Sequence, residues 1–185
     1  MPCTGCCLTR DMLEQYIYST IPDREALIQG IMEYFARLTG AEELDWHTFF
    51  FREGMLEFMD TGRIDVVPDI LYERPSVATR CEVLERMIAF SKEGKICYHM
   101  VKDGRLPLMK NLHVEQMNGV TKSLIIDMHF EEDRKERFEI EDEGFRTNFW
   151  NFFEYLEKGG YAYSVQETIA YMEEVLEEYR GRSEA

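Results

Sequence analysis

The sequence predicts an α/β (α+β) fold in which a small, mainly antiparallel sheet at about 96–140 is packed by N-terminal and C-terminal helices. Three observations predict it. Apolar residues recur at helical spacing up to about Lys95 and again from about Glu143. Between those points the period falls to two. It is clearest in Leu124-Ile125-Ile126-Asp127-Met128-His129-Phe130, where Leu124, Ile126, Met128 and Phe130 share one face and Asp127 and His129 the other. Hydrophobic residues make up 45% of the chain and aromatics 13%, enough for a core, which excludes a disordered chain. The length suits one domain, divided into an N-terminal arm or short helix at 1–22 and a single α/β domain at 23–185.

Taken in order, Leu8 to Tyr18 reads as a short helix with Thr9 as its cap. After Pro22, Asp23 caps a helix carrying Leu27, Ile31, Tyr34-Phe35 and Leu38, with Gly30 inside it for close packing and Gly40 as its stop. Asp45 is expected to cap a helix containing Trp46-His47-Thr48-Phe49-Phe50-Phe51 and then Met55, Phe58 and Met59, ended by Thr61-Gly62-Arg63. Ser76 caps a helix with the stripe Val77, Cys81, Leu84 and Ile88, stopped at Gly94. Strands follow at Ile96–Val101, Leu112–Met117, Leu124–Phe130 and Arg137–Ile140. Asp103-Gly104 and Asn118-Gly119 serve as turns, and Glu131 to Glu136 as a charged hairpin tip. Two helices close the chain. One carries Phe145, Phe149, Phe152-Phe153 and Leu156 and stops at Gly159-Gly160. The other opens on the capping box Ser164-Val165-Gln166-Glu167 and carries Val165, Ile169, Met172, Leu176 and Tyr179.

The net charge is −15, from 36 acidic and 21 basic residues. Such a surface repels phosphate, so direct nucleic-acid binding and docking on anionic membranes are both disfavoured. No apolar run reaches the ~18 residues of a membrane span, and no secretory leader is recognisable, so a cytoplasmic chain is expected. Five cysteines, an odd number, suit reduced thiols in that compartment. Cys3-x-x-Cys6-Cys7 can present thiolates to one zinc, but no second pair follows at zinc-finger spacing, which leaves metal binding there open. Cys81 and Cys97 sit in apolar patterns as core residues.

Catalytic motifs do not appear. The sequence lacks Gly-x-x-x-x-Gly-Lys-Ser/Thr, Gly-x-Gly-x-x-Gly, His-Glu-x-x-His and Gly-x-Ser-x-Gly. His99, His113 and His129 would share a face if their strands were neighbours, and Asp127 with His129 would then form an acid–base pair, though no nucleophile accompanies them. A non-enzymatic chain without cofactor or structural metal is the expectation.

Several segments follow one another in a suggestive order: Phe51-Arg52-Glu53-Gly54-Met55-Leu56-Glu57-Phe58, Arg80-Cys81-Glu82-Val83-Leu84-Glu85, Gly94-Lys95-Ile96-Cys97-Tyr98-His99-Met100-Val101, Phe152-Phe153-Glu154-Tyr155-Leu156 and Tyr161-Ala162-Tyr163-Ser164. Over about 24–178 they resemble the C-terminal effector region of bacterial transcription regulators whose helix-turn-helix lies upstream. The helix–strand order also resembles half of a phospholipase D-like fold. That family's His-x-Lys-x-x-x-x-Asp is not matched, because His99-Met100-Val101-Lys102-Asp103 has another spacing. The resemblance implies a regulatory domain that senses a small molecule or peptide, oligomerises and biases an attached DNA-binding domain.

The expected ligand-binding residues are Trp46, Phe50, Tyr98, Phe149 and Phe153. A homodimer is expected because the rings of Trp46, Phe49, Phe50, Phe51, Phe58, Phe145, Phe149, Trp150, Phe152 and Phe153 exceed what one-sided helices bury. The alternative function is an acidic, phage-type inhibitor that mimics nucleic acid and blocks a basic protein. Its carboxylates would be Glu131, Glu132, Asp133, Glu139, Glu141, Asp142, Glu143, Glu173-Glu174 and Glu177-Glu178.

Overall fold

The computed structural model of the 185-residue chain describes residues 7–39, 45–64, 71–102, 112–118, 123–131 and 134–183. Helices α1 (Arg10–Tyr16) and α2 (Arg24–Thr39) precede strand β1 (Asp45–Phe51) and helices α3 (Arg52–Thr61) and α4 (Val77–Lys92). Strands β2 (Cys97–Val101), β3 (Leu112–Asn118), β4 (Ser123–Glu131) and β5 (Arg134–Ile140) come next, then helices α5 (Glu143–Lys158) and α6 (Val165–Ser183). The fold is mixed α+β, with helices packed on a five-stranded sheet of order β2-β1-β3-β4-β5. Three of its four pairings are antiparallel and β1–β2 is parallel.

The main correction concerns β1. Asp45 to Phe51 is a strand and not the start of a helix, and the helix begins only at Arg52. Trp, Thr and three successive Phe favour the pleated, packed environment of a sheet. The strand inserts between β2 and β3, with Phe49 opposite both His99 and Val114. The sheet therefore reaches outside the 96–140 segment, and one of its interior strands comes from the N-terminal half.

A strand points successive side chains to opposite faces, and both faces of this sheet are covered. On one, Trp46, Phe50, Tyr98, Met100 and Ile125 pack with Met55, Phe58 and Met59 of α3, Leu84 and Met87 of α4, and Met172 and Leu176 of α6. On the other, Phe49, Phe51, Val101, Leu124 and Ile126 pack with Leu156 of α5 and Ala162, and half-buried Phe149, Trp150 and Phe152 lie against them. Leu124, Ile125 and Ile126 are all buried, so β4 is two-sided there and not half-exposed. The same alternation disposes of the aromatic surplus in β1. Phe49, Phe50 and Phe51 point alternately into two cores, and no second chain is required to bury them.

Local signals place the helices. Thr9 Oγ1 accepts from Met12 N–H at the start of α1, and Ser76 Oγ from Thr79 N–H at α4. At α6 the capping box is reciprocal: Glu167 N–H donates to Ser164 Oγ (3.3 Å) and Ser164 N–H to Glu167 Oε2 (2.8 Å). Gly62 ends α3 at φ +74°, with a Cβ there only 3.0 Å from the Pro75 carbonyl oxygen, so glycine is required twice over. Three expectations shift. Ile28 is the buried anchor of α2, whereas Leu27 and Tyr34 are exposed. A Cβ on Gly30 would meet nothing within 4 Å, so close packing does not explain that glycine. α1 and the segment before it enter the main core through Cys7, Met12 and Tyr16. The expected stop at Gly40, the turns at Asp103-Gly104 and Gly119, and the Cys3 and Cys6 thiols lie outside the described residues. Among those described, no helix is long and apolar enough to cross a membrane.

Candidate functional site

Five residues were expected to line one pocket, but the sheet divides them. Trp46 (1% exposed), Phe50 (2%) and Tyr98 (0%) belong to the core under α3, α4 and α6, with the Phe50 and Tyr98 rings edge to face at 6.2 Å. Phe149 lies across the sheet on α5, stacked on Phe145 at 5.1 Å. Phe153 lies in α5, and its side chain is outside the described set.

The same alternation builds a polar cluster on the α5 face. His47 and Phe49 of β1 and His99 of β2 share that face, and α5 lays Trp150 over them. His47 Nδ1 and His99 Nε2 are hydrogen-bonded at 2.9 Å. The His99 ring stacks on Phe49 at 4.4 Å and 8°, and Trp150 meets His47 edge to face at 4.5 Å and 77°. Trp150 is itself held, its Nε1–H donating to Glu154 Oε1 at 3.1 Å. The Lys158 ammonium donates to the other Glu154 oxygen at 2.7 Å and holds that carboxyl below its usual range.

His99 is the unusual group. It is 5% exposed, and burial, with the neighbouring His47 second, pushes its pKa down to about 3. It is therefore neutral at pH 7, and one of its ring nitrogens carries a proton. Its Nε2 is engaged by His47, while its Nδ1 is buried with no hydrogen-bond partner among the described residues. A buried, unsatisfied ring nitrogen costs about 1–3 kcal/mol unless something pairs with it. Depending on tautomer, this atom is one donor or one acceptor, on a ring that stacks against Phe49.

The expected triplet of His99, His113 and His129 comes apart in the register, whereas Asp127 and His129 stay two apart along β4 as expected. Position 99 shares a cross-strand row with Phe49, Val114, Ile126 and Phe138. His113 stands opposite Asp127 in the next row, so it does not share a face with His99. His129, two residues beyond Asp127 on β4, stands opposite Lys135. Lys102 turns its ammonium over the Tyr163 ring, 4.6 Å from the centroid. Among the described residues, no group of three or more His, Cys, Asp or Glu is arranged to hold a metal ion. Cys7 is buried, its Sγ 3.9 Å from the Tyr98 hydroxyl.

No match emerged from comparison with protein-family models, curated proteins or solved structures. The site must be read from its own chemistry. The meeting of His47 and Phe49 with His99 and Trp150 was missed because β1 read as a helix, which cannot pair in register with Cys97–Val101. The aromatic and Thr run of β1 was the signal that could have found it.

Proposed function

We propose that this chain is a cytoplasmic, non-enzymatic regulatory domain, the sensor part of a bacterial transcription regulator. In this reading a small aromatic ligand enters between α5 and the sheet. The observation that carries it is the buried His99 Nδ1, without a hydrogen-bond partner among the described residues, on the sheet face where Phe149, Trp150 and Phe152 of α5 are only half buried. Phe49, Phe149 and Trp150 supply flat apolar walls, and His99 supplies one directional hydrogen bond. A ligand that pairs with His99 favours one placement of α5 over another and so shifts a two-state equilibrium. The expectation that Trp46, Phe50 and Tyr98 touch the ligand is replaced by His47, Phe49, His99, Phe149 and Trp150.

The test places the chain behind a heterologous helix-turn-helix head in a transcription reporter and screens small aromatic compounds. The expected result is a compound-dependent change in expression that His99→Phe and Trp150→Ala each abolish while the protein still accumulates. An effect that both variants leave intact would move the site elsewhere. The acidic-inhibitor alternative draws less support. On α6, Glu173 pairs with Lys92 (2.6 Å), Glu177 with Arg180 (3.2 Å) and Glu178 with Arg182 (2.5 Å), which locally neutralises carboxylates that would have to imitate phosphate.

A further inference from the structure

The two edges of the sheet are treated differently. At β2, Met100 N–H donates to Thr168 Oγ1 (3.1 Å), Tyr163 N–H to Met100 O (2.8 Å), and Lys102 N–H to Tyr161 O (2.8 Å). That edge is closed by α6 and by the segment before it. The other edge is β5, which pairs with β4 on one side and, among the described residues, with nothing on the other. An open edge of seven residues is a template for another strand. Its sequence says which strand. Arg134, Lys135 and Arg137 lie in its first half, and Glu139 follows, with Glu141 and Asp142 just beyond. Antiparallel pairing of the strand with its own copy lays the basic half of each on the acidic half of the other.

Symmetry then selects the register. Hydrogen-bonded and non-hydrogen-bonded pairs alternate along an antiparallel ladder, so a two-fold axis must pass between a residue and its own copy. Centring on Glu136 opposes two glutamates and sets Lys135 against Arg137. Centring on Arg134, Lys135, Arg137 or Glu139 opposes identical charges, and centring on Ile140 sets Glu139 against Glu141. Centring on Phe138 sets Arg137 opposite Glu139 on both sides and Glu136 opposite Ile140, with no like charges opposed. It also brings together two copies of a phenylalanine that is 44% exposed. Charges on an edge usually block strand addition. Here they reject every centred register but one.

We propose that β5 is a dimerisation edge. Two copies of this chain pair antiparallel through Glu136–Ile140 of β5 about a two-fold axis at Phe138, joining two five-stranded sheets into one. The proposal does not depend on what the α5 face binds. Repulsion between two acidic chains is screened at physiological salt, and the strand itself, with three basic and two acidic residues, is close to neutral.

Light scattering over a dilution series tests it. The native chain, 22.0 kDa as a monomer, is expected at twice that mass at high concentration. Arg137→Glu and Glu139→Arg each oppose like charges at two places and should raise the dissociation constant at least about tenfold. The double swap Arg137→Glu with Glu139→Arg restores complementarity and should return it to within about threefold of native. Phe138→Cys should form an intermolecular disulfide on mild oxidation beyond any the native cysteines give, because residues opposed across an antiparallel pair lie within disulfide reach. A native chain that stays monomeric overturns the proposal. So do single variants that dimerise as the native chain does, or a folded double variant that is not rescued.

Discussion

Trp46→Ala is expected to destabilise the fold by about 3–5 kcal/mol, a large share of the stability of any domain this size. Trp46 is 1% exposed in an interior strand, and its ring fills the core between the sheet and helices α3, α4 and α6. The cost combines lost burial with the cavity left behind. Phe149→Ala, on the opposite face, removes a ring that is only partly covered and should cost less than half as much. Urea unfolding of both variants, read by far-ultraviolet circular dichroism, checks the contrast. Equal losses would mean that the two faces of the sheet are equally structural.

Acid is expected to weaken the native chain through His99. Its pKa is held at about 3 in the fold, against about 6.5 for a free histidine. Between those values the unfolded chain takes up a proton that the folded chain refuses, so falling pH favours unfolding. The contribution is fully present above about pH 6.5 and is lost as pH falls toward 3, by up to about 1.4 kcal/mol per unit. His99→Phe keeps a flat ring against Phe49 and removes the titrating group. From about pH 6.5 to pH 5, before most carboxylates titrate, the native chain should lose on the order of 2 kcal/mol more than the variant. Unfolding free energies measured across that range give the answer. Parallel curves would show that His99 accepts its proton while folded.

The sequence made the fold class legible because periodicity changes where the chemistry of burial changes. The Leu124–Phe130 strand, the Ser164 to Glu167 capping box and the Ser76 cap are local signals, and the structure carries each. β1 was obscured by its setting. A strand buried on both faces shows no apolar–polar alternation, and an unbroken run of aromatic residues leading into the true helix at Arg52 looks like one amphipathic element. That misreading put Trp46 and Phe50 into a pocket when they fill the main core, and it hid the meeting of His47 with His99. Register across strands far apart in sequence is set by tertiary packing, and the 52-residue separation of the two histidines leaves no local trace.

Binding of 1-anilinonaphthalene-8-sulfonate, excited directly and titrated at neutral pH, tests most directly the claim that the α5 face binds and the opposite face only supports. The chain's two tryptophans divide the faces between them: Trp150 covers the histidine pair and Trp46 lies in the main core. With folding verified for each variant, Trp150→Ala should weaken binding of the probe at least about tenfold, whereas Trp46→Phe should leave it within about threefold of native. Weakened binding in Trp46→Phe together with native binding in Trp150→Ala would contradict the account.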